Sequence, residues 1–101
     1  MSSSVAEATP PRALDVRVSD DSLTVDLSDG RTVSVPLSWY PRLIHGSGSE
    51  RDNWRLIGQG EGVHWPDLDE DIDVDALLRG LRSGESQASL AKWLAGRSST
   101  G

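Results

Sequence analysis

An acidic segment at residues 62–75 constrains the fold of this chain more than any other feature, because two kinds of sequence pattern meet there. Residues before it alternate between apolar and polar side chains, as in strands, whereas residues after it repeat apolar side chains at helical spacing. The segment itself holds six of the sixteen acidic residues. We therefore predict an α+β fold in which this segment joins a sheet to helices.

The 101 residues leave room for one domain, and the composition predicts where that domain begins and ends. Residues 1–11 are rich in Ser, Ala and Pro, and residues 96–101 consist of Gly, Ser and Thr around one Arg. Both stretches are predicted to be disordered tails, so that residues 12–95 form a single folded domain. Because the chain has no Phe, its four Trp residues must fill much of the core.

Charge and residue usage argue against several classes of function. A net charge of −6 with scattered basic residues disfavours binding to nucleic acid or to an anionic membrane, since both need clustered cations. The absence of Cys removes disulfides, thiolate metal sites and Cys nucleophiles. No apolar run is long enough to span a membrane, and the N-terminus lacks the pattern of a signal peptide. We expect a soluble, cytoplasmic protein without a cofactor.

Alternation of apolar and polar residues predicts a small antiparallel β-sheet of four to five strands that begins with a three-stranded meander. The predicted strands are residues 13–18, 23–27, 32–37, 54–57 and 63–65. In the first strand, Leu14, Val16 and Val18 are predicted to share the buried face. Gly30 supplies the positive φ of the second turn, and Pro36 requires the end of a strand or an edge.

Capping residues and apolar spacing predict short helices after the meander and a helical pair at the C-terminus. The predicted helices are residues 39–44, 50–53, 74–81 and 87–95, with Ser38, Ser49, Asp73 and Ser86 as their N-caps. The third helix places Leu81 on its apolar face, and the fourth ends at Gly96. We expect the apolar face of the fourth helix to pack on its own domain and not on another chain, because a small domain has little core to spare.

The acidic residues of the segment are spaced by two, and a calcium site is one interpretation, because hard cations take several oxygen ligands from one loop. An EF-hand counted from Asp67 fails. Its sixth position is Ile72 where Gly is needed, and its twelfth position is Leu78 where Glu is needed. We therefore predict no metal site in this segment.

Turn and cap chemistry is the other interpretation of the same spacing. Asp67 and Asp69 would shape a turn, and Asp73 would cap the third helix. Asp71 and Asp75 would lie near the positive end of that helix, where a carboxylate is stabilising. We predict that this local role accounts for most of the acidic alternation.

His64 has a catalytic and a structural interpretation. As a general base it would act with Asp69 or Glu70. As a strand residue beside Trp65 it would instead form a hydrogen bond with a nearby carboxylate. Because the chain shows neither a nucleophile elbow nor a metal-binding triad, we predict that the protein is not an enzyme.

Trp39, Tyr40 and Arg42 form an aromatic and cationic cluster that also has two interpretations. Exposed rings beside a guanidinium are typical of binding hot spots. Alternatively, one of the two rings belongs to the core and Arg42 pairs with the acidic segment. Both interpretations can hold together, since a short helix exposes one side.

Four motifs combine into a recognisable signature: VPLSWYPRL at 35–43, NW at 53–54, GVHWPDLDEDI at 62–72 and LLRG at 77–80. The signature resembles a bacterial family of domains of unknown function, number twenty-four forty-two, over about residues 11–80. The resemblance implies a small α+β domain with no catalytic residues to transfer. It also implies a gene partner, in a two-gene arrangement similar to toxin–antitoxin pairs. Some relatives carry a helix-turn-helix domain, for which this chain has no recognition-helix pair after Gly80.

These observations favour a non-enzymatic binding module, antitoxin-like, that recognises a basic protein partner encoded by a neighbouring gene. The predicted binding surface, here called the sequence-predicted surface, consists of Trp39, Tyr40, Arg42, His64, Trp65, Asp67, Asp69, Glu70 and Asp71. One alternative is a metal- or ligand-dependent protein or enzyme that uses His64 and residues 67–71. A second alternative is a fragment of a transcription regulator.

Overall fold

The computed structural model describes residues 10–99, and the predicted disorder of residues 1–9, 100 and 101 lies outside this range. The described chain is α+β, as predicted, but its strands form two antiparallel sheets of three strands each instead of one larger sheet. The strands are β1 (Ala13–Val18), β2 (Ser22–Leu27), β3 (Thr32–Pro36), β4 (Arg55–Ile57), β5 (Gly62–Trp65) and β6 (Glu70–Asp73). The helices are α1 (Pro41–Ile44), α2 (Gly48–Asp52), α3 (Val74–Leu78) and α4 (Gln87–Ser99).

The first sheet has the order β1-β2-β3 and follows the predicted meander closely. Gly30 has a φ of +93° in the turn before β3, and Pro36 ends an edge strand, both as predicted. In β1, however, the pairing shifts between Ala13 and Asp15. This bulge turns Ala13 and Val16 inward and leaves Leu14 on the surface, so the prediction that Leu14 is buried is wrong.

The second sheet has the order β4-β5-β6, and its third strand was not predicted. Backbone hydrogen bonds tie this sheet to its surroundings. The N–H of Ala13 donates to the carbonyl of Gly60 at 2.8 Å, and the N–H of Val74 donates to the carbonyl of Glu61 at 2.9 Å. Gly60 has a φ of +100°, and a Cβ there would lie 2.6 Å from the Ala13 carbonyl oxygen, so glycine permits this close approach of the two sheets.

One hydrophobic core lies between the sheets and under the short helices. Trp65 is its largest fully buried side chain, and the indole N–H donates to the carbonyl of Arg51 at 2.9 Å. Leu43, Leu68 and Tyr40 pack in the same core. The prediction that the four Trp residues fill much of the core therefore holds fully for Trp65, whereas Trp39, Trp54 and Trp93 are half-buried and pack against the core from its edge.

Helix ends differ from the predictions in α1, α2 and α3. Helix α1 begins at Pro41, after a 3-10 turn at Leu37–Trp39, so the prediction that Ser38 caps a helix beginning at Trp39 is wrong. Ser47, not Ser49, caps α2, and it forms a capping box with Glu50. Helix α3 has Asp73 as its N-cap, as predicted, but ends at Leu78. The N–H of Gly80 donates to the carbonyl of Leu77, and that of Leu81 donates to Ala76, a Schellman end that places Leu81 outside the helix.

Helix α4 continues past Gly96 to Ser99, so residues 96–99 are helical and are not part of a disordered tail. Glycine within a helix costs about 1 kcal/mol, and Arg97 offsets this cost through contacts with the body of the domain. Its guanidinium lies 2.8 Å from a carboxylate oxygen of Glu50 in the body of the domain, and within α4 it lies 4.8 Å from the Trp93 ring centroid. Trp93 packs against the core, which confirms that the helix docks on its own chain. Between residues 10 and 99, no helix combines the length and apolar character of a membrane span.

Candidate functional site

The second sheet presents one face to solvent, and strand pairing determines which side chains lie on it. Arg55, His64 and Asp71 are paired across the three strands, as are Ile57, Gly62 and Asp73. These six residues are here called the outer face. The intervening row, Leu56, Val63 and Ile72, points to the opposite side, where Val63 and Ile72 are buried.

A groove of about 290 Å³ crosses the outer face. It is lined by Ile57, Glu61, Gly62 and residues 71–73, and is here called the acidic groove. Gly62 forms its floor, because the central strand has no side chain at this position. The apolar wall is Ile57, which is 40% exposed, and the rim carries three carboxylates. This combination suits a cationic group on an aliphatic stem.

A second depression of about 220 Å³ adjoins the acidic groove and shares Glu61 and Asp73 with it. Its other polar lining includes Arg12 and Asp75. Asp75 faces Arg79 at 3.5 Å, and Asp73 accepts a hydrogen bond from the N–H of Ala76 at 3.0 Å. The acidic surface therefore extends from the outer face to the first turn of α3.

His64 lies on the outer face and forms a hydrogen bond through Nδ1 with Asp71 of the neighbouring strand. This confirms the structural interpretation of His64 as a strand residue bonded to a carboxylate. It also corrects the prediction for Asp71, which belongs to β6 and not to the helix end. Asp67 and Asp69 lie in the turn between β5 and β6, and Asp75 lies in the first turn of α3, as predicted.

Arg42 organises a second cluster on the other side of β6, here called the arginine clasp. Its guanidinium donates to Glu85 at 2.8 Å and to the carbonyl of Asp69 at 2.9 Å, and it lies 4.9 Å from the Trp93 ring centroid. Trp93 also contacts Arg97, so the ring of α4 is held by two guanidinium groups. The clasp fastens α4 to the domain.

Glu70 is half-buried beside the arginine clasp, and its pKa is raised from 4.5 to about 7. Burial is the main cause, because it disfavours the charged carboxylate. The positive charge of Arg42 opposes this effect, whereas the negative charge of Glu85 adds to it. Glu70 is therefore partly protonated at neutral pH.

We expect Glu70→Gln to change how stability depends on pH. A carboxyl whose pKa is higher in the folded state stabilises that state below about pH 4.5, and the stabilisation is lost as pH rises through about 7. The free energy of unfolding of the variant, relative to the native chain, should therefore rise by on the order of 2 kcal/mol between pH 4.5 and pH 8. Urea denaturation at several pH values measures it. Parallel pH profiles for the two proteins would contradict this account.

The structure divides the sequence-predicted surface. Tyr40 and Trp65 are buried in the core, so neither ring is available to a partner. Trp39 is half-buried under the Arg82 guanidinium, which lies 5.1 Å from its ring centroid. Arg42 belongs to the arginine clasp and pairs with Asp69 of the acidic segment, in agreement with its structural interpretation.

The other residues of the sequence-predicted surface lie on different sides of the second sheet, because successive side chains of β6 point to opposite faces. Asp71 points to the outer face with His64, whereas Glu70 points to the clasp. Asp67 accepts a hydrogen bond from the side chain of Asn53 at 2.9 Å. Nowhere in residues 10–99 do three or more His, Asp or Glu side chains converge as metal ligands would.

Ile57, Glu61 and Asp73 were missed as members of a surface. Ile57 and Glu61 precede the acidic segment, and Asp73 was recognised only as a helix cap. The pairing of β4, β5 and β6 brings them together. The signal that could have identified them is the period-2 spacing of Asp71 and Asp73, which is typical of one strand face.

The chain matches one family of proteins and one solved structure. The family model described as "Protein of unknown function (DUF2442)" matches residues 13–83. The chain is also similar to a crystal structure of a protein of unknown function from Rhodospirillum rubrum ATCC 11170. That similarity has 29% sequence identity and a TM-score of 0.66, and it covers 79% of this chain and 96% of the other. No curated protein is significantly similar to the chain.

Proposed function

This chain belongs to the DUF2442 family of proteins of unknown function, and from that premise we propose that it is a non-enzymatic binding module for a basic protein partner. The partner's Lys or Arg side chains would enter the acidic groove of the outer face. The observation that carries the proposal is the joining of three carboxylates to an exposed apolar wall at Ile57. Such a groove attracts a cationic stem by charge and by burial of its methylenes.

The charge balance of the groove supports this proposal. Several exposed carboxylates elsewhere in the described chain face an Arg, as Asp29 faces Arg31 at 2.8 Å. Among the residues that the structure describes, neither Glu61 nor Asp71 forms an ion pair with Lys or Arg, and Asp71 is hydrogen-bonded to His64. A cationic partner would neutralise this residual charge, and its association would be steered by the field of a chain with a net charge of −6.

An antitoxin-like role fits the same surface, because an acidic module can mask the basic surface of another protein. The chemistry at His64 favours binding over catalysis. Its Nδ1 is bonded to Asp71, and within residues 10–99 the ring forms no further hydrogen bond with a side chain that could act as a nucleophile or orient the ring.

Affinity capture from the native lysate at low salt tests the proposal. We expect one basic protein to be retained by the native chain and lost with the double variant Glu61→Gln/Asp71→Asn. Asn at position 71 can still accept a hydrogen bond from His64, so the strand pairing is preserved. Raising the salt from about 50 to 300 mM should weaken capture roughly tenfold, because the attraction is between exposed charges.

The matched control is Asp21→Asn/Asp52→Asn, which removes the same number of charges from two exposed carboxylates away from the groove. If both double variants lose the partner equally, the loss reflects the change in net charge and not the acidic groove. Full retention of the partner by Glu61→Gln/Asp71→Asn would overturn the proposed surface.

A further inference from the structure

Strand β4 is an exposed edge of the second sheet and pairs with β5 on one side only. Along its other side, no strand of the described chain forms backbone hydrogen bonds with it. Both of its apolar side chains are exposed, Leu56 to 36% and Ile57 to 40%. An edge of this kind is a template for pairing with another strand.

Opposite charges stand at the two ends of this edge. Arg55 is exposed at the start of β4 and forms no ion pair with the residues at positions 10–99. Glu61 lies at the other end, where its N–H donates to the carbonyl of Ile57 at 3.1 Å. Its carboxylate lies over Gly58, the residue that follows the strand. A Cβ added at Gly58 would collide with Oε1 of Glu61.

We propose that β4 pairs antiparallel with β4 of a second copy of this chain, about a two-fold axis at Leu56. In this register Arg55 of each copy lies opposite Ile57 of the other. The guanidinium then reaches the Glu61 carboxylate at the end of the neighbouring strand, and symmetry forms this ion pair twice. The edge is thus complementary to itself in both charge and apolar contact.

The pairing would join the two second sheets into one sheet of six strands. Residues opposite each other in an antiparallel pair share a face, so both acidic grooves would lie on the same side. The contact is small, because each strand contributes only three residues, and it falls below the roughly 1,200 Å² of stable interfaces. The dimer therefore forms reversibly and depends on protein concentration.

Analytical ultracentrifugation of the full chain at low salt tests the proposal. We expect monomer at low concentration and a growing dimer fraction toward about 1 mM, as for a small interface. Arg55→Glu and Glu61→Arg should each weaken self-association roughly tenfold, since each places like charges in contact twice. An equimolar mixture of the two variants should regain the dimer, because every contact in the mixed pair joins opposite charges.

Circular dichroism checks that both variants are folded, which we expect because both substitutions lie on exposed side chains. The proposal is overturned if the native chain stays monomeric to about 1 mM. It is equally overturned if the mixture associates no better than either variant alone, or if self-association is unchanged in Arg55→Glu. If β4 pairs only with a strand of a different protein, the purified native chain will stay monomeric in this experiment, and the proposed dimer is overturned.

Discussion

Trp65→Ala should lower the free energy of unfolding more than any other single substitution considered. The side chain is fully buried, and its removal leaves a cavity that costs about 3–5 kcal/mol. The carbonyl of Arg51 also loses its hydrogen-bond donor. Because a domain of this size has a total stability near the lower end of about 5–15 kcal/mol, we expect the melting temperature to fall by about 15 °C or more.

Two further variants separate burial from hydrogen bonding. Trp65→Phe keeps most of the volume but leaves the Arg51 carbonyl without its donor, and should cost about 1–3 kcal/mol. Trp39→Ala removes a half-buried ring of the same size and should cost clearly less than Trp65→Ala. If Trp65→Ala proved as mild as Trp39→Ala, the placement of Trp65 at the centre of the core would be wrong.

Arg42→Met should destabilise the domain by about 2–3 kcal/mol, the second-largest expected effect. The Arg42 side chain is 15% exposed and its partner Glu85 is 9% exposed, so removal of the cation leaves a nearly buried carboxylate unpaired. The contact of the guanidinium with Trp93 is lost as well. Hydrogen exchange should show that the amides of α4 lose protection before those of the sheets.

The exposed pair of Arg79 and Asp75 provides the control for Arg42. Arg79→Met removes an i,i+4 ion pair whose side chains are 66% and 59% exposed, and it should cost at most about 0.5 kcal/mol. Adding Glu85→Gln to Arg42→Met should recover part of the loss, because the stranded charge is then removed. If Arg42→Met and Arg79→Met lowered stability equally, the claim that the arginine clasp stabilises the domain would be wrong.

The pH dependence of the clasp follows from Glu85. Its pKa lies below the usual 4.5, first because Arg42 donates hydrogen bonds to it. A lowered pKa contributes stability that is present above about pH 4.5 and is lost as the pH falls. The difference in stability between the native chain and Arg42→Met should therefore narrow under acidic conditions.

Local sequence chemistry was sufficient to predict much of the fold. The alternation of Leu23, Val25 and Leu27 identified the central strand of the first sheet, and all three are buried. Gly30 was predicted to form a turn and Asp73 to cap a helix, and each residue has its predicted role. These features depend on neighbours within a few residues, which a sequence displays directly.

The errors arose where distant contacts override local preference. Strand β6 is rich in acidic residues, which disfavour strands, and it forms because β5 pairs with it. The bulge in β1 places Ala13 against the Gly60 loop. Helix α4 passes Gly96 because Arg97 contacts Glu50, which lies 47 residues earlier in the chain.

The prediction of the candidate site was affected most by these errors, because the pairing of strands in the second sheet brings the site residues together. Without β6, the acidic run appeared as one continuous surface. The strand instead directs Asp71 and Asp73 to the outer face and Glu70 to the clasp. The aromatic residues Tyr40 and Trp65 were assigned to binding when the core required them, since a chain without Phe has few other large apolar side chains.

A hydrogen–deuterium exchange footprint of the captured partner on this chain tests the central claim most directly. If the outer face binds a basic protein, amides of β5 and β6 and of the turn at Glu61 should gain protection in the complex, while those of β2 should not change. The protection should disappear with Glu61→Gln/Asp71→Asn. A footprint confined to α4 or to the first sheet would show that the partner binds elsewhere and would contradict the account.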